Sequence, residues 1–199
     1  APDARAVWSF TPRRRRIKKM TELTIGRPEE TEYLAYYGRY VALVPEGDIV
    51  ATLSRQVENT AALLRGVAQS QERFRYAPGK WSVRELVGHM IDTERIFAYR
   101  AMRFARNDQT PLPGYDENEY VANSSYDSYP FGELAAELRS VREATVFLFK
   151  HMGAEAWARA GSANGSEVSV RALAYIIAGH ELHHRGILRD RYLTRRADD

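Results

Sequence analysis

Three of the five histidines in this 199-residue chain fall within five consecutive positions, in Gly179-His180-Glu181-Leu182-His183-His184. On a helix, His180 and His184 stand at i and i+4 and project from one face, one turn apart. That is close enough for two imidazoles to share one ion. Val170, Leu173, Ile177, His180, His184, Ile187 and Arg191 recur every three or four residues, so the pair is expected to point into the protein. Two neighbouring buried imidazoles are costly without partners, because each has a donor and an acceptor to satisfy and two charged rings repel. A metal ion removes both costs. His89 is the expected third ligand, on a segment where Leu86, His89 or Met90, and Thr93 share a face. Three neutral imidazoles leave positions open on the ion, as in catalytic centres, and an ion so held lowers the pKa of a water or a thiol. The donor set suits a divalent ion, whether zinc, nickel, manganese, iron or copper.

Other residues are candidates for supporting roles. His183, about 100° of helix rotation from His184, is expected to contact substrate or to orient a ligand. Asp92, one turn after His89, is the expected carboxylate partner within the site, with Glu94 behind it. An exposed helix charge is the competing reading for both, as a solvated face is for Arg95, Arg100 and Arg103. Tyr115, Tyr120 and Tyr126 are candidates to cover the site, or to serve as core or dimer contacts. His151 is expected to interact with a helix C-terminus. His180-Glu181-Leu182-His183-His184 also satisfies H-E-x-x-H, in which the Glu is the general base of a zinc protease. The extended form of that motif needs Gly and His where Ile187 and Asp190 stand, and no strand is expected to hold a peptide, so a protease is disfavoured.

The elements that position these residues are helices. Ile49, Leu53, Val57, Ala61 and Leu64 mark a first helix over about 48–72. Ser82 and Glu85 form a capping box that opens a second, running to about Arg106. Residues 107–130, with Pro111, Pro113 and Gly114, form a long loop. A third helix is expected at about 132–152. After the turn-rich Gly161-Ser162-Ala163-Asn164-Gly165-Ser166, Ser169 opens a fourth, running to about Leu193. The expectation is an all-α four-helix bundle, up-down-up-down with a long crossover connection. Residues 20–47 are an irregular lead-in, residues 48–193 the bundle and residues 194–199 a tail.

The composition is that of one globular domain, with 44% hydrophobic and 28% charged residues. The absence of cysteine excludes a disulfide scaffold, a cysteine nucleophile and any thiolate metal site. No apolar run approaches the roughly 18 residues of a membrane span, and a cytoplasmic protein is expected. The basic balance is local. Residues 1–19 carry seven positive side chains against Asp3, a net +6, so out of a chain total of +3 the remainder carries −3. Residues 1–19 are expected to be non-native or upstream sequence, a solvated basic arm or a targeting peptide, with no part in the chemistry. Nucleic-acid binding is accordingly not expected.

Three segments together resemble the DinB/YfiT-like family, in its DinB-like branch. They are Lys80 to Glu94 (KWSVRELVGHMIDTE), Leu112 to Asn118 (LPGYDEN) and Gly179 to Gly186 (GHELHHRG). The resemblance covers about 48–193 and implies a four-helix bundle, commonly a homodimer. It also implies a divalent ion held by one histidine of the second helix and a pair from the last, here His89, His180 and His184. Members of that family include thiol-dependent S-transferases and a thiol-dependent isomerase. The function expected here is transfer of a small-molecule thiol to an electrophilic small-molecule substrate. Without cysteine, the thiol has to arrive as a low-molecular-weight cosubstrate. The alternatives are a metal-dependent hydrolase that activates water and a non-catalytic metal-binding dimer.

Overall fold

The computed structural model describes residues 25–194. The expected basic segment 1–19 and most of the expected tail lie outside the described residues. Two single 3-10 turns, Glu30–Glu32 and Ala35–Tyr37, lead into a short helix α1 (Gly38–Val41) within the lead-in segment. In chain order there follow α2 (Ile49–Arg65), α3 (Val83–Ala105), a short α4 (Glu117–Ala122), α5 (Phe131–Lys150) and a short α6 (Ala154–Ala158). Then come β1 (Ala160–Ala163), β2 (Ser166–Ser169) and α7 (Val170–Ile187), which runs on through a π-helical turn, Leu188–Leu193.

The sequence places the helix starts closely because the caps are chemical. The Asp48 carboxylate accepts from the Ala51 amide at 2.6 Å, and Ser169 Oγ accepts from the Ala172 amide at 2.9 Å. The expected capping box forms. Ser82 Oγ accepts from the Glu85 amide at 3.1 Å while the Glu85 carboxylate accepts from the Ser82 amide at 2.8 Å. At its other end α2 stops at Arg65, short of the expected 72. The amide of Gly66 turns back onto the carbonyl of Leu63, and a separate 3-10 turn occupies Gln69–Gln71.

Two expectations are corrected. The fold is not purely helical, because β1 and β2 pair antiparallel with Ala160 opposite Ser169 and Ala163 opposite Ser166. Asn164 and Gly165 form the tip, with φ of 54° and 74°. These are the paired positive values that a two-residue hairpin turn demands and that Asn-Gly supplies. The order of the long helices also departs from a simple up-down-up-down meander. Helix α2 packs on α5 and α7, and α3 packs on the same two, so consecutive long helices lie across the bundle from one another. Such diagonals need long connections, and residues 66–82 and 151–169 provide them.

The bundle core comes in two apolar halves. One gathers Leu53, Phe97, Phe104, Phe149, Leu173 and Ile176, and the other Leu64, Val87, Ile91, Leu134, Leu138 and Tyr192. Each such side chain contributes about 1.5–3 kcal/mol by leaving water. Between the halves every long helix turns a buried polar residue inward: Gln56 and Thr60 from α2, His89 and Glu94 from α3, Arg142 from α5, and His180, Glu181 and His184 from α7. The apolar cost of that layer makes it the place to look for function.

Candidate metal centre

The three histidines chosen from spacing meet in this layer. His89 Nε2 and His184 Nε2 each lie 3.0 Å from His180 Nε2, and one nitrogen from each ring falls within a 4.8 Å sphere of separations. Bonds of about 2.0–2.1 Å to a common ion place neighbouring imidazole nitrogens about 2.9 Å apart in octahedral and about 3.3 Å apart in tetrahedral geometry, so the spacing fits one ion. Burial holds the pKa of His89 down at about 4, with the charge of His183 adding to the effect. Burial first, then the neighbouring imidazoles, drive His180 and His184 well below 6.5. All three are therefore neutral at pH 7. Three lone pairs that converge without a cation repel, and a metal is the partner that this chemistry lacks.

The outer nitrogens follow the same logic. Thr93 Oγ1 stands 3.5 Å from His89 Nδ1 and 2.9 Å from the Tyr115 hydroxyl, a file that orients the His89 ring. His184 Nδ1 is buried with no hydrogen-bond partner among the described residues. Trp81 lies against the His89 ring with centroids 4.6 Å apart. Tyr40 sits edge-on to His180 and His183 at 5.4 and 5.3 Å. Gly179 makes that placement possible, since a Cβ there would stand 2.0 Å from the Tyr40 carbonyl oxygen. Only a glycine lets α1 lie this close on α7.

The histidines form the floor of a pocket of about 410 Å³. Its walls include Trp81, Tyr37, Tyr40, Tyr115 and His183, with Arg39, Arg100 and Glu117 as its other charged groups. Gly114 of the long loop approaches the hairpin tip at Asn164, which brings both to the wall. Burial pushes the Tyr115 phenol up to about 12, so it keeps its proton at neutral pH. His183 is half-buried, and burial followed by the charge of Arg39 lowers its pKa.

The supporting residues fall differently from expectation. His183 lines the pocket, as anticipated. Asp92 does not: although it stands three residues after His89 on the same side of α3, it is not among the pocket's lining residues, and its carboxylate lies beside the Tyr126 hydroxyl instead. Tyr126 packs on Gly88 of α3 and is core, while Tyr120 lies against Tyr115 at the surface. Glu94 and Arg100, each 4% exposed, are not solvated charges. Arg95 is exposed and pairs with Glu137, and Arg103 pairs with Asp108. His151 caps the C-terminus of α5 and stacks on Phe147.

Glu181 is withdrawn from the zinc-protease role. Its carboxylate accepts from Thr60 and pairs with Arg142, which also holds Glu94 through two hydrogen bonds of 2.7 Å and Gln56 through a third of 2.7 Å. Arg142, the hub of this network, was missed because no motif marks it. Its position among the apolar residues of α5, one turn after Leu138, was the available clue.

Comparisons with known proteins agree with the fold. Among solved structures the chain is similar to YfiT from Bacillus subtilis, described as a probable metal-dependent hydrolase with an unusual four-helix bundle topology. The TM-score is 0.61 at 14% identity, over 83% of this chain and 90% of that one. It is also similar to a DinB-like protein, YjoA, from Bacillus subtilis, with a TM-score of 0.53 at 20% identity over 75% and 93% of the two chains. A mycothiol-dependent maleylpyruvate isomerase gives 0.56 at 15% identity, over 72% of this chain and 61% of that longer one. At such identities the likeness is one of fold. No curated protein matches the chain. The model of the DinB superfamily matches residues 52–188, which takes in all four long helices and all three histidines, and the chain belongs to that superfamily.

Proposed function

We propose that the protein is a divalent-metal-dependent enzyme that joins a small-molecule thiol to an electrophilic substrate. The observation that carries the reading is the convergence of three neutral imidazoles on the floor of a pocket where, among the described residues, Glu117 is the one lining carboxylate, while Glu181 is engaged elsewhere. A divalent ion held there supplies Lewis acidity toward a water or a thiol. Water must be brought down from a pKa of about 15.7 and hydrolysis also asks for an acid at the leaving group, whereas a thiol starts near about 8.5. The neutral His183 imidazole suits the lighter task, accepting the thiol proton at the pocket wall. Tyr115, protonated and fixed by Thr93, donates a hydrogen bond toward the pocket. The aromatic walls exclude water from a reactive thiolate.

The test is to load chelator-treated protein with zinc, nickel, manganese or iron and assay conjugation of mycothiol, glutathione or cysteine to a chromogenic electrophile. Turnover that needs both ion and thiol, and falls about 100-fold or more in His184→Ala, is expected. Ion-dependent ester hydrolysis with no thiol requirement would favour the hydrolase that the YfiT likeness suggests. The proposal includes a homodimer located in the cytoplasm, and light scattering at twice the 22.7 kDa chain mass checks the first part. Among the described residues no helix is long and apolar enough to cross a membrane.

A further inference from the structure

Arg100 is a buried cation with no carboxylate partner among the described residues. It is 4% exposed and lines the pocket that the histidines floor. Among the described residues no carboxylate oxygen lies within 4.0 Å of its guanidinium. Arg142, its counterpart in burial on the other side of the layer, is held by two carboxylates. One Arg100 nitrogen donates to the Pro113 carbonyl at 2.8 Å, and the side chain lies beside the Phe97 ring at 5.1 Å and the Tyr115 ring at 6.0 Å. Tyr37 is also beside it. A guanidinium has five N–H donors, and one carbonyl with the neighbouring Tyr37 phenol leaves most of them unused. Other charges facing the pocket are Arg39 at its rim and Glu117, so the protein side carries a net positive charge even before any ion binds. A buried charge left unpaired is costly, and a guanidinium fork matches a carboxylate in shape and charge.

We infer that Arg100 is a specificity determinant that pairs with a carboxylate of the bound reactant, so that the enzyme selects carboxylate-bearing substrates. The inference deepens the proposed function and rests on the pocket being the reaction site. The carboxylate belongs either to the electrophile or to the thiol cosubstrate. In both cases the fork anchors one end of the molecule at Arg100 while the reacting atom reaches the histidine floor. The Pro113 contact holds the fork in place, so little ordering is left to be done on binding.

The probes are benzoate and its neutral isostere benzamide, titrated by NMR into metal-free protein, where no ion can bind the carboxylate. Benzoate is expected to bind about tenfold more tightly than benzamide and to shift the Arg100 Nε–H signal, which benzamide leaves in place. In Arg100→Gln the preference falls to near one. Equal binding of the two probes, an unmoved Arg100 signal, or a preference that survives in folded Arg100→Gln would each overturn the inference. The comparison in the parent protein decides against it even if that variant does not fold. N-acetylcysteine and N-acetylcysteamine, compared on zinc-loaded protein, identify the source. A carboxylate preference here assigns the group to the thiol, and equal binding with the benzoate preference retained assigns it to the electrophile. Zinc content measured on the same samples separates the two claims: zinc binding without benzoate preference sinks only the Arg100 assignment, and the converse sinks only the metal-dependent reaction.

Discussion

Acidification of the metal-free protein should expose the cost of burying His89. Its folded pKa, about 4, lies below the 6.5 of an exposed imidazole, so the unfolded chain takes the proton first. Stability is then intact above pH 6.5, falls as pH drops through the window down to about 4, and is flat in this contribution below that. Over the whole window the loss from His89 is about 3 kcal/mol, at 1.36 kcal/mol per pKa unit, and at pH 5 it is about 2 kcal/mol. His180 and His184, held well below 6.5 by burial first and by neighbouring charges, add losses of the same sign. Against a typical total of about 5–15 kcal/mol these are large. Urea unfolding of chelator-treated protein at pH 7.5 and pH 5, in the parent and in His89→Gln, isolates the His89 share. The parent should lose about 2 kcal/mol more than the variant between the two pH values. Equal losses within about 0.5 kcal/mol would refute the claim that His89 is buried neutral.

Three further outcomes follow from contacts. Arg142→Met leaves the Glu94 and Glu181 carboxylates buried without their cation and should cost about 3–5 kcal/mol, lowering Tm by roughly 10 °C in a thermal melt. Gly179→Ala sets a methyl group against the Tyr40 carbonyl and should cost about 1–3 kcal/mol with faster amide exchange in α1, whereas Gly132→Ala, which meets open space on α5, should be neutral or stabilising by up to about 1 kcal/mol. Glu181→Gln should keep its zinc and conjugate thiol within about threefold of the parent. A fall of about 100-fold or more would mean that Glu181 acts as a general base after all.

The helices and the convergence of the three histidines were legible in the sequence because each rests on local chemistry. Ser82 and Glu85 announce a cap whatever lies around them, and the i, i+4 spacing of His180 and His184 puts them on one face in any helix. What was not legible depends on partners far along the chain. Glu94 and Arg100 read as solvated charges because a lone helix shows only periodicity, and it takes α5 to bring Arg142 to Glu94. Asp92 was expected in the site from its place one turn after His89, and only the fold shows that Tyr126, far along the chain, is the group it lies beside. The diagonal order of the helices left no trace in their own residues, only in the lengths of 66–82 and 151–169. The hairpin did leave a signal: Asn164-Gly165, flanked by short segments on each side, specifies a tight turn between strands.

The proposed function turns on one ion shared by three histidines. The direct measurement is elemental analysis of untagged protein prepared without chelator, for the parent, His89→Ala and His180→Ala. About one divalent ion per chain in the parent, lost from both variants while their helical circular dichroism persists, is the predicted result. A parent that carries no ion and takes up none when offered zinc, nickel, manganese or iron would contradict it, as would variants that bind as well as the parent.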